Sequence, residues 1–145
     1  MMDKIIITSI TLSIMLFACN TELKSTNEEK GIQSKVILDM ISAVNEKNAE
    51  KYVVRFADDV QVFVESEMKI DGKGKLQANR AEHFKKFPYV KSEIQHLVEI
   101  DNKVILHDKV WFEKSDKEGQ DIVEIFTFQN GQVVRVYVIQ HKNLF

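Results

Sequence analysis

The sequence predicts one α+β domain, with helices laid on one face of a curved, mostly antiparallel sheet. Three observations carry that expectation. Apolar residues recur at helical spacing early in the domain and again just before Pro88. Everything after Pro88 reads as strand. Asn130-Gly131, set between two apolar runs, is a strong hairpin signal.

Each element follows from its residues. From Ser34 to Asn48, Ile37, Met40, Ile41 and Val44 fall three and four apart, the one-face pattern of a helix. The polar run Asn45 to Asn48 ends it. Ala49 to Phe56 reads as a second, short helix with Tyr52, Val53 and Phe56 on one side, broken by Ala57-Asp58-Asp59. Val60 to Val64 alternates and is rich in β-branched and aromatic residues, so it is a strand. Asp71 to Gly74 marks a turn. Leu76 to Phe87 returns to helical spacing through Leu76, Ala81, Phe84 and Phe87, and Pro88 stops it. Four strand-like runs follow: Glu93 to Ile100, Val104 to Glu113, Asp121 to Phe128 and Gln132 to Gln140.

The chain has 145 residues, the length of one domain, and an ordinary hydrophobic content of 44%. A formal net charge of −2 offers no basic excess to neutralise phosphates, so no nucleic acid is expected as partner. With one cysteine, an internal disulfide is excluded.

That cysteine closes a targeting segment. Met1 to Lys4 is polar, and Ile5 to Phe17 is almost wholly apolar. At about 13 residues the apolar run is shorter than the roughly 20 of a bilayer-spanning helix, and it matches a secretory signal. It ends in Leu16-Phe17-Ala18-Cys19, which resembles a bacterial lipobox. The resemblance implies cleavage before Cys19, lipidation of Cys19, and a lipid anchor in the membrane of the bacterial cell envelope. The expected organisation is a signal peptide over 1–18, the lipidated cysteine and a polar tether over 19–31, and the domain over 32–145.

Within the domain, Asn45-Glu-Lys-Asn-Ala-Glu-Lys-Tyr-Val-Val-Arg-Phe-Ala-Asp-Asp-Val-Gln-Val62 resembles the nuclear transport factor 2-like superfamily. Val104 to Val110 and Gly131 to Ile139 are similar to its SnoaL-like branch. The resemblance runs from about Ile32 to Gln140. It implies a cone-shaped α+β barrel whose pocket binds a small apolar molecule, with Met40, Val64, Phe84, Glu124 and Tyr137 as ligand-binding positions. It also brings ketosteroid isomerase into view, which uses an aspartate base and an oxyanion hole of a tyrosine and a protonated aspartate. Aligned on Ala57-Asp58-Asp59, this chain has Met40 in the tyrosine's place and Val64 in the base's place. Only Glu124 matches in kind, so that catalytic set is not present.

Polar residues on apolar strand faces give the remaining candidates. His96 sits among Ile94, Val98 and Ile100, and Asp108 among Val104, Leu106, Val110 and Phe112. A three-residue loop at Asp101 to Lys103 places His96 opposite Asp108, a base beside its orienting carboxylate or a structural hydrogen bond. A two-residue turn at Asp101-Asn102 instead sets His96 opposite His107. The first register is preferred because it keeps the apolar sets together. In the last hairpin, the Asn130-Gly131 turn pairs Gln129 with Gln132, Phe126 with Arg135 and Glu124 with Tyr137, with Arg135 diagonal to Glu124. His96, Asp108 and Glu124 are thus the candidates for acid–base work.

His107, Lys109 and Trp111 fall on the opposite face, where tryptophan suits a homodimer interface. The four histidines show no close ligand spacing, so no metal site is expected. Asp71 to Gly74 lacks the pattern of a phosphate-binding loop, and no cofactor is expected. The leading expectation is a ligand-binding lipoprotein without catalysis. An acid–base enzyme of the isomerase or cyclase kind, and a dimeric interaction module, stand as alternatives.

Overall fold

A computed structural model describes residues 31–140. The lipobox, Cys19 and most of the tether lie outside the described residues.

Three helices pack against one six-stranded sheet that does not close. The elements are α1 (Ile32–Asn45), α2 (Ala49–Tyr52), β1 (Phe56–Val64), β2 (Glu67–Asp71), α3 (Lys73–Lys86), β3 (Lys91–Ile100), β4 (Lys103–Trp111), β5 (Gln120–Gln129) and β6 (Gln132–Gln140). The sheet order is β2-β1-β6-β5-β4-β3. Every neighbouring pair is antiparallel except β1 with β6. After the β1–β2 hairpin, α3 carries the chain across to the far edge. The β3–β6 meander then returns it to β1.

The helical stripe of α1 buries Val36, Ile37, Met40 and Ile41. These meet the inner sheet face, where Val60, Val62, Val104, Leu106, Phe126, Val136 and Val138 form the main core. Val104, Leu106, Asp108 and Val110 share that face of β4, as their alternation predicts. A smaller cluster of Phe84, Val90, Val110 and Phe112 closes one end.

Two hydrogen-bond clamps fix α1 to the sheet. Gly31 precedes the helix and offers no side-chain cap. Instead the Glu99 carboxylate, on β3, accepts from the backbone N–H of Gly31 (3.1 Å) and Ser34 (2.8 Å) and from the Ser34 hydroxyl (2.6 Å). At the other end Asn45 donates to the Ser92 carbonyl (2.9 Å) and accepts from the Ser92 N–H (2.8 Å).

Four expectations need correction. The second helix ends at Tyr52, and Phe56 begins β1, because Val53 and Phe56 turn into the core from a turn and a strand. The hairpin strand β2 is additional. It buries only Ile70, so it carries no apolar alternation. Between β3 and β4 the two-residue turn at Asp101-Asn102 is the one formed, with Asp101 at φ 53°. His96 therefore pairs with His107 and Leu97 with Leu106, and the expected His96–Asp108 pair is absent. An extra residue, Gln95, is bulged between Ile94 and His96. It switches the inward set from Leu97 to Ile94 and Ser92, so the core is satisfied without the longer loop. In the last hairpin Asn130 (φ 51°) and Gly131 (φ 74°) form the expected turn, and Gln129 does pair with Gln132. A bulge at Thr127/Phe128 then shifts the register by one. Glu124 faces Val138 and Phe126 faces Val136, so the Glu124–Tyr137 and Glu124–Arg135 relations do not form.

On the outer face, Trp111 is covered by its own chain. Gly119, at φ +67°, lies so close that an added Cβ would stand 2.8 Å from the indole. The Lys91 ammonium lies 5.7 Å from the ring centre. Val98, Ile100 and Ile139 are exposed on the same face.

Candidate functional site

Between α1, α3 and the inner sheet face lies a cavity of about 70 Å³. Met40, Ile41 and Val44 of α1 form one wall, and Arg80, His83 and Phe84 of α3 another. The sheet contributes Ser92, Asp108, Val110, Ile122, Glu124, Val138 and Gln140, and Tyr52 stands at α2. The wall is thus apolar with a concentrated polar patch.

Two carboxyl groups dominate that patch. Asp108 is 3% exposed. Its Oδ2 accepts a short hydrogen bond from the Ser92 hydroxyl, which the Asn45 clamp holds in place. Its Oδ1 has no partner among the described residues. Burial raises the Asp108 pKa, against the opposing effect of the Ser92 bond. Glu124 keeps part of its surface open to the cavity, yet burial pushes its carboxyl up to about 8, with the nearby Asp108 charge adding to the rise and Arg80 opposing it. Two acids in one low-dielectric space resist ionising together. At neutral pH the pair therefore holds at least one proton.

The flanking groups are set by α3 and α2. Arg80, His83 and Phe84 lie three and four apart and so project from one face of α3. Arg80 donates to Asn79 (2.8 Å) and lies 5.7 Å from the centre of the Tyr52 ring. Tyr52 stacks on Phe56 at 5.4 Å, and burial raises its phenol, which stays a donor at neutral pH. His83 is edged by Phe84, Phe87 and Phe112. Burial, together with the charges of Arg80 and Lys86, lowers its pKa to about 4, so the ring is neutral at pH 7. Its Nδ1 is buried without a partner among the described residues, as is Nε2 of Gln140.

Of the residues singled out from sequence, Met40, Phe84, Asp108 and Glu124 meet at this cavity. Val64 is buried in the core and is not part of the cavity wall. Tyr137 is on the outer face, stacked with Phe63 at 5.0 Å. His96 is also outside, its Nδ1 3.0 Å from Nδ1 of His107. Tyr52, Arg80, His83, Ser92 and Gln140 were not anticipated. For α3 the signal was present: Arg80 and His83 interrupt the inward stripe of Leu76, Phe84 and Phe87. Among the described residues, no group of three or more His, Cys, Asp or Glu could hold a metal ion.

The comparisons with known proteins agree with this architecture. An uncharacterised cystatin-fold protein of Novosphingobium aromaticivorans superimposes with a TM-score of 0.66 at 20% identity, covering 74% of this chain and 97% of its own. A SnoaL-like protein of unknown function from Burkholderia thailandensis gives 0.67 at 16% identity, covering 78% and 98%. A nuclear transport factor 2-like protein of unknown function from Burkholderia xenovorans gives 0.67 at 19%, covering 80% and 88%. At these identities the likeness establishes the fold. No curated protein matches the sequence. The SnoaL-like domain model matches residues 37–136, more than half of the chain, and the chain belongs to the SnoaL-like domain family.

Proposed function

We propose that this chain is a lipid-anchored envelope protein whose domain binds a small molecule in the cavity between α1, α3 and the sheet. One observation carries the reading. Three buried side-chain atoms without hydrogen-bond partners among the described residues, Asp108 Oδ1, His83 Nδ1 and Gln140 Nε2, belong to residues lining this one cavity. A buried polar atom left unpaired costs about 1–3 kcal/mol. A ligand that supplies partners recovers that cost on binding, which favours a molecule with a polar end over a wholly apolar one. Its apolar body fits against Phe84, Val110 and Phe112. The enclosed space, about 70 Å³, is far below the roughly 300–1,000 Å³ of a pocket that holds a whole drug-sized ligand. Only the polar end is therefore enclosed, and the rest of the ligand lies toward the open side.

A second reading, acid–base catalysis on the bound molecule, is favoured by the Asp108–Glu124 pair. A carboxyl raised toward neutral pH is suited to proton transfer.

The binding reading is tested by a protein-observed NMR screen of small alcohols, amides, amines and carboxylates. Binders are expected to compete for one site and to shift the amides of Ser92, Asp108 and Val110. Asp108→Asn and Glu124→Gln should change which chemical class binds, with the fold kept. Binders that leave these amides unmoved would contradict it. A turnover found in the screen, bell-shaped in pH and lost in Glu124→Gln, would favour the second reading.

A further inference from the structure

We propose that His96 and His107 form a surface site for a divalent transition metal of the copper(II) or nickel(II) class. Nothing in the SnoaL-like assignment or in the cavity calls for it. The site is on the opposite face of the sheet.

The geometry rests on the β3–β4 register. With the two-residue turn at Asp101-Asn102, His96 and His107 stand directly opposite each other. Their rings are nearly parallel, 11° apart, with Nδ1 to Nδ1 at 3.0 Å. Strand pairing, rather than close sequence spacing, brings these residues, eleven apart, together.

One nitrogen is already prepared as a ligand. His107 Nε2 is 2.8 Å from Asp121 Oδ1. An ionised carboxylate there accepts a hydrogen bond, which puts the ring proton on Nε2 and leaves Nδ1 with a free lone pair. A carboxylate behind the far ring nitrogen is the arrangement that orients metal-bound histidines. In the metal-free protein the His107 lone pair accepts the Nδ1 proton of His96. A metal replaces that proton, which moves to His96 Nε2, on the exposed side of the ring.

If the 3.0 Å separation is kept on binding, it favours one class of metal. At metal–nitrogen bonds of about 2.0–2.1 Å, nitrogens 3.0 Å apart subtend about 91–97° at the metal. Tetrahedral zinc needs about 109°, hence nitrogens about 3.3–3.4 Å apart. A near-right angle suits square-planar or octahedral ions, and copper(II) binds most strongly among divalent first-row metals. The rings meet head-on along the Nδ1–Nδ1 line, so each must tilt by roughly 40° from it for both lone pairs to converge on one ion at about 2.0–2.1 Å. His96 is exposed and His107 half-buried, so the tilt meets little packing. Water completes the coordination shell.

The test is a copper(II) titration of the untagged full chain carrying Cys19→Ser, which removes the one thiol. Affinity is read against a chromophoric chelator and coordination by electron paramagnetic resonance. The expected result is one equivalent with a tetragonal spectrum and coupling to two imidazole nitrogens. His96→Gln and His107→Gln should each weaken binding at least tenfold, and Asp121→Ala by a smaller factor. Circular dichroism checks the fold of each variant. Because His96 is exposed, its variant keeps the test when His107→Gln folds poorly. Unchanged affinity in His96→Gln, or a spectrum without two-imidazole coupling, would overturn the proposal.

Discussion

Asp108 and Glu124 are carboxylic acids placed where water is scarce, and Glu124 is the more informative to titrate. Its folded pKa, about 8, lies above the ordinary 4.5. Between those values the folded chain binds more protons than the unfolded chain, so this group makes stability fall as pH rises from about 4.5 to 8. His83 acts on the acid side. Its pKa is lowered from 6.5 to about 4, so its contribution is present above 6.5 and lost as pH falls through 4. Glu124→Gln removes the first effect. Relative to the native chain it should be near neutral at pH 5 and more stable at pH 8, by something on the order of 1–3 kcal/mol. Urea unfolding at the two pH values measures it, and an equal effect at both would contradict the burial account. Sequence pattern found Asp108 because it interrupts an apolar strand face, and the family resemblance singled out Glu124. Tyr52 gave no such signal, since an aromatic residue on an apolar helix side looks like core until its neighbours are known. Gln140 gave none either, at the very end of a strand.

At the scale of elements, the first helix depends on a residue of another strand. Glu99 substitutes for the cap that Gly31 cannot provide. Burial opposes its ionisation, but the Ser34 hydroxyl and the backbone N–H groups outweigh that, and its pKa is lowered. The stabilising contact is therefore present above the ordinary carboxylate range and lost as pH falls through the lowered value. Glu99→Ala should cost about 1 kcal/mol, in line with loss of a helix cap. Faster amide exchange at Ser34 to Val36, with little change at β5 and β6, is the expected signature. Uniformly faster exchange would show that the clamp has no local role. The strand pairings show where sequence reasoning stopped. Asn130-Gly131 correctly set the turn, but the bulge at Thr127/Phe128 came from tertiary packing and moved Glu124 one residue along its partner. Likewise the apolar set of β3 was taken as one unbroken alternation. The chain instead bulges Gln95 and leaves Val98 and Ile100 exposed. Alternation shows that faces exist, while bulges decide which residues share them.

For the whole molecule, the α+β order and the sheet-on-helix layering were legible because each long element carries a clean period. The cavity was legible only through resemblance, since its wall is assembled from α1, α2, α3 and four strands distant in sequence. The parallel β1–β6 contact brings the end of the meander back to the first strand, and the β5–β6 pairing sets Val138 opposite Glu124 and Gln140 opposite Ile122. On the proposed reading, a ligand completes the unpartnered polar atoms around this space. A high-resolution crystal structure of the protein purified from its native source tests that most directly. The expected result is density for a molecule larger than water, hydrogen-bonded to Asp108 Oδ1 and to His83 or Gln140. A cavity closed by these side chains bonding to one another, or filled by ordered water alone, would contradict it.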